Sequence, residues 1–113
     1  MHELAFTLSI LRILETEAES RGFSRVRTVW LEVGALSHAE PEALRFSFAA
    51  ASAGTLAEGA ELVILEPPGQ AWCLDCANTV TLPRRGGACP GCGGFTLRVV
   101  GGEEFRVTEL EVE

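Results

Sequence analysis

No stretch of this sequence approaches the roughly 18 consecutive apolar residues that a membrane-spanning helix needs. Glu3 stands where a secretory leader would carry basic charge, so a signal peptide is not expected either and the chain is assigned to the cytoplasm. Basic clusters are missing too. The nearest thing to one is the pair Arg84 and Arg85, and the formal charge is −7, so a nucleic-acid-binding role is set aside. Histidine is scarce, at two residues, and Thr7, Ser9 and Ser37 have no arranged base and acid to make them nucleophiles. Aromatic residues make up only 7% of the chain, although 47% is apolar, enough for a small core that would gain from a staple.

Four cysteines supply that staple. Cys73-x-x-Cys76 and Cys89-x-x-Cys92 lie 12 residues apart, a spacing that lets each pair wrap one side of a tetrahedral ion. In a reducing compartment such pairs act as metal ligands rather than disulfides. The expected ion is one structural Zn²⁺ per chain. Four protein ligands leave no open position for a catalytic water, and Pro- and Gly-rich flanks do not match a thioredoxin-like redox setting. Four thiolates around one zinc would take the formal charge two units lower, to about −9. Glycines around Cys89 and Cys92 suit a tight knuckle, and Asn78 is expected to take the matching left-handed position after Cys76. Trp72 and Trp30 read as packing residues, with Trp72 placed to shield the thiolates.

Around this module the periodicity predicts a helix over Leu4–Arg21 with Leu4, Leu8, Leu11, Leu14 and Ala18 on its apolar stripe, widened by Phe6, Ile10 and Ile13, and Gly22 as its cap. Ser24–Val33 alternates as a strand. Pro41 opens a second helix with Leu44, Phe48 and Ala51 inward, closed near Gly54. Leu62–Leu65 reads as a strand buried on both faces, and Glu104–Val112 as another, with a bulge near Thr108 or Glu109 to reconcile its two parities. Short strands around Val80 and Leu97 are expected to close the cysteine module. The fold class is therefore α+β, a small three-stranded sheet with two helices, interrupted by a zinc-ribbon-like module of four cysteines. Residues 1–68 with 103–113 form one domain and 69–102 the other.

Met1-His2 offers an α-amine, an amide nitrogen and an imidazole in sequence, able to close five- and six-membered chelate rings on a near-square-planar Ni²⁺ or Cu²⁺. Met1 is expected to be retained because His2 is large. Glu3 supplies an amide and a carboxylate that could complete the set. A solvated His2 before a helix, with Glu3 near the positive end of the helix dipole, is the competing reading of these residues alone. His38, in the loop before the second helix, reads as exposed rather than ligating.

Met1-His2-Glu3, the run from Gly34 to Glu42, both Cys-x-x-Cys pairs and the closing run from Glu103 to Val112 together resemble the HypA/HybF family of hydrogenase maturation factors. The resemblance implies a nickel metallochaperone, not an enzyme. It would bind Ni²⁺ transiently as cargo at Met1, His2 and Glu3, and hold zinc at Cys73, Cys76, Cys89 and Cys92. It would deliver nickel for the nickel–iron hydrogenase large subunit in concert with the GTPase HypB, and in some organisms serve urease as well. The cysteine module holds no histidine, so any relative that adds an imidazole from that module to its nickel site has no counterpart here. The rival reading is a zinc-ribbon adaptor that binds proteins and handles no second metal.

Overall fold

The computed structural model describes residues 2–113, with side chains from Glu3 onward. Helix α1 runs His2–Arg21 and stops at Gly22, whose N–H reaches the Ala18 carbonyl at 2.8 Å with φ at +78°. Its buried face differs from the expected stripe. Thr7, Ile10, Leu11 and Leu14 are inward, whereas Leu4, Leu8 and Ile13 are exposed. The helix is apolar most of the way round, so periodicity alone could not say which i, i+3, i+4, i+7 set faces the core.

Strand β1, Val26–Val33, follows; then α2, Pro41–Ala51; then β2, Glu61–Leu65. Pro41 sits in the first turn of α2, and the N-cap is Glu40, whose carboxylate accepts from the N–H groups of Glu42 at 2.9 Å and Ala43 at 3.3 Å. Leu44 and Phe48 are its buried residues. The remaining elements are β3 (Gly69–Cys73), β4 (Asn78–Leu82), β5 (Leu97–Gly101) and β6 (Phe105–Val112).

Two three-stranded sheets result, ordered β2-β1-β6 and β4-β3-β5. Central β1 is the most thoroughly buried strand, with Val26 and Thr28 buried on one face and Val29, Leu31 and Val33 on the other. Strand β2 is not buried on both faces as expected. It is an edge strand in which Leu62 is inside while Leu65, three residues on and of the opposite parity, is 47% exposed. Along β6 the half-buried positions pass from Phe105 and Val107 to Leu110, a change of parity.

The chain divides into two compact units. One takes in the chain up to Leu31 with Ala39–Ile64 and Val107–Glu113; its core includes Ile10, Leu14, Val29, Leu44 and Phe48. The other takes in Glu32–His38 and Leu65–Arg106. Here Leu36, fully buried, packs with Ala71 and Leu82, and Val80, Leu97 and Val99 lie against them. Backbone bonds fasten the Leu36 segment: Gly34 N–H to Glu104 O, Ala35 N–H to Pro67 O and Leu36 N–H to Gly102 O, at 2.7, 2.9 and 2.7 Å. The Leu36 carbonyl accepts from Arg85 Nε at 3.0 Å and Nη2 at 2.7 Å, and Arg85 also pairs with Glu103. Gly34 has no room for a side chain, since a Cβ there would lie 2.1 Å from Gly102 O.

Candidate metal centre

Antiparallel pairing of β3 with β4 and with β5 sets Cys73 opposite Asn78 and Leu97 at one end of the small sheet. Alternation along β3 turns Cys73 inward with Ala71 and leaves Trp72 on the opposite face, 38% exposed. Trp72 thus stays out of the core, on the face opposite Cys73, contrary to the packing role expected from the sequence. A strand residue cannot share a face with its immediate neighbour.

Each Cys-x-x-Cys loop is built the same way. The Cys73 carbonyl accepts from the N–H of Ala77, and the Cys89 carbonyl from Gly93, both at 2.8 Å. Both donors adopt left-handed backbone, with φ +55° at Ala77 and +74° at Gly93. The expected left-handed position thus falls on Ala77; Asn78 already begins β4. The first sulfur of each pair accepts an N–H, from Cys76 to Cys73 Sγ at 3.4 Å and from Gly91 to Cys89 Sγ at 3.3 Å. Leu74 N–H to Thr96 O at 3.0 Å ties the first loop to the segment entering β5.

The four sulfurs lie within 4.8 Å of one another. Cys73 Sγ is 3.7 Å from Cys92 Sγ, and Cys76 Sγ is 3.8 Å from Cys89 Sγ. A tetrahedron with metal–sulfur bonds of about 2.3 Å has edges of about 3.8 Å, whereas a disulfide would bring sulfurs to about 2.05 Å. Four soft donors at these separations fit a thiolate-binding divalent cation such as zinc. Cys73 and Cys89 are buried, Cys76 is half-buried and Cys92 exposed, so the centre lies at a rim.

The surrounding dipoles already favour thiolate at one position. Backbone N–H groups of Cys92 and Gly91 pull the Cys89 thiol down to about 7. Hydrogen bonding among the sulfurs of Cys92, Cys73 and Cys89 instead pushes Cys76 up to about 12. Crowded sulfurs that cannot all ionise together are the arrangement a bound dication relieves.

Of the residues expected to take nickel, Met1 and the side chain of His2 lie outside the described residues. Glu3 is half-buried, and its Oε2 accepts the N–H of Glu40 at 3.2 Å. His38 is exposed. Sequence reasoning missed Ala77, which could have been found by offset, because it follows Cys73 at the distance Gly93 follows Cys89. It also missed Arg85 as a clamp on Leu36, for which no local pattern exists.

A family described as "Hydrogenase/urease nickel incorporation, metallochaperone, hypA" matches residues 1–112. Hydrogenase maturation factor HypA of Rhodopseudomonas palustris (strain TIE-1) is 55% identical over 113 residues, covering all of both chains. Hydrogenase maturation factor HypA of Azotobacter vinelandii is 51% identical with the same coverage. The solution structure of the Ni metallochaperone HypA from Helicobacter pylori matches in fold with a TM-score of 0.67 at 20% identity, covering 97% of this chain and 96% of that one. From its first residue through its two cysteine pairs to its last strand, this chain belongs to the HypA family.

Proposed function

We propose that this protein is a cytoplasmic nickel metallochaperone, not an enzyme, that binds Ni²⁺ as cargo at Met1, His2 and Glu3 and delivers it for maturation of nickel–iron hydrogenase. The observation that carries the reading is the family match, which begins at residue 1 and so includes the three residues whose amine, amide and imidazole nitrogens suit nickel. HypB and the hydrogenase large subunit are the proposed partners, and urease is a further destination. No helix among the described residues is long and apolar enough to cross a membrane.

Cys73, Cys76, Cys89 and Cys92 would hold one zinc per chain, which would order the turns around them. We assign nickel handling to residues 1–68 with 103–113, and zinc to 69–102. This chain's own contribution to cargo exchange is a chelate drawn from Met1 and His2, followed in sequence by Glu3, whose carboxylate accepts the N–H of Glu40. Amine, amide and imidazole must shed protons to bind, so nickel affinity falls as pH drops through the range of about 6.5 to 8.

Nickel titration of zinc-loaded protein with an unmodified N-terminus, followed by visible absorption, tests the reading beside His2→Ala and a variant with one Gly inserted before Met1. One Ni²⁺ with square-planar bands in the native chain, lost in both variants and weakened at pH 5.5, is the expected result. Equal binding by all three, or by none, overturns it in favour of a zinc-ribbon adaptor.

A further inference from the structure

In the unit that contains the two helices, a cleft of about 570 Å³ opens between α1 and β6. One wall is a single helical stripe, Ile13, Glu17 and Arg21; the other is β6, including Val107, Glu109 and Leu110. Consecutive strand residues point to opposite sides of a sheet, so a cleft touching residue after residue from 107 to 110 runs along the strand's margin. Sheet order makes that margin the free one, because β6 has β1 as its only strand neighbour among the described residues. Backbone N–H and C=O groups on such an edge are a template for one more strand. The six residues from Val107 to Val112 offer roughly 20 Å of it.

Charge selects the occupant. Between Glu103 and Glu113 the sequence has five glutamates against one arginine. Glu17 is answered by Arg21 at 2.7 Å and Glu113 by Arg27 at 3.4 Å, whereas Glu109, exposed in the cleft wall, has no ion pair among the described residues. A second copy pairing through the same edge would set glutamates against glutamates, which opposes pairing. The apolar residues Ile13, Val107 and Leu110 meanwhile give alternate side chains of an added strand something to cover.

We propose that the free edge of β6 is a docking site for an extended, basic segment of a partner protein, which adds as a fourth strand with apolar side chains toward α1 and Lys or Arg side chains at Glu109. The site stands independently of the nickel terminus and of the cysteine centre.

The test uses the zinc-loaded full chain labelled with ¹⁵N, with three probe peptides: acetyl-Lys-Val-Arg-Val-Lys-amide, its all-Glu counterpart at the charged positions, and a version with both valines replaced by proline. The first should shift and protect amides between residues 107 and 112 and shift the Ile13–Glu17–Arg21 stripe. The proline peptide, stripped of alternate N–H donors, should lose the protection, and the acidic peptide should not bind. Glu109→Arg, at an exposed position, should weaken the first peptide about tenfold, with Glu17→Arg as a second variant. Unchanged affinity in both variants, equal binding of the proline peptide, or shifts confined to another surface would each overturn the proposal. So would self-association of the free chain through the same amides, which would make the occupant a second copy.

Discussion

Ala77 holds a backbone conformation that costs an L-residue about 1–2 kcal/mol, while its counterpart Gly93 holds it freely. Ala77→Gly should therefore tighten the first cysteine loop, by up to about 1 kcal/mol after the extra flexibility of glycine in the unfolded chain is subtracted. Competition against a chromophoric zinc chelator reads the change, and weaker metal retention would contradict it. Glu104 is a second residue whose worth is local. Its carboxylate accepts its own N–H and that of Gly102, the latter at 3.3 Å, and these hold its pKa below the usual carboxylate range even though Oε2 is shielded without a partner. A folded-state value below the unfolded one contributes stability at pH above the unfolded value and loses it as pH falls through the folded one. The stability gap between native protein and Glu104→Gln should thus narrow between about pH 6 and pH 3 in urea titrations. A gap independent of pH would argue against that role.

At the scale of elements, what could be read in advance followed from local rules. Gly22 ending α1, Pro41 opening α2 and Leu44 with Phe48 inward are each set by a residue and its immediate neighbours. Spacing likewise brought the four cysteines into one cluster before any geometry was known. Strand β3 was not legible. Gly69 and Gln70 are poor strand formers on their own, and only pairing on both sides makes Gly69–Cys73 a strand. Nor was the role of Leu36, which sat in what read as a connecting loop yet anchors a core with Ala71 and Leu82. Tertiary partners decided both. The approach of Gly34 to Gly102 carries a sharp consequence: Gly34→Ala would drive a methyl group into a carbonyl oxygen, part the two backbones and endanger the Leu36 N–H bond. We expect a loss of about 1–3 kcal/mol, the scale of forced overpacking, in denaturant unfolding. A neutral substitution would mean the segment is free to move aside.

For the molecule as a whole, the two units draw their cores from different residues, Ile10, Leu14 and Phe48 in one and Leu36, Ala71 and Leu82 in the other. Stripping the metal, or the change Cys89→Ala, should therefore act unevenly. Amide hydrogen exchange is expected to accelerate through β3, β4 and β5 while α1 and the middle of β1 keep their protection. Uniform acceleration along the chain would show that the cysteine centre supports the entire fold.

One contact has a practical use. The Glu3 carboxylate rests on the N–H of Glu40, 37 residues along the chain. A metal ion that recruits that carboxylate takes an acceptor away from the amide; one that uses only nitrogen atoms leaves the bond in place. The proton resonance of residue 40 is therefore a gauge, supplied by the protein without any label attached, of whether a metal ion added to the chain draws on the Glu3 carboxylate.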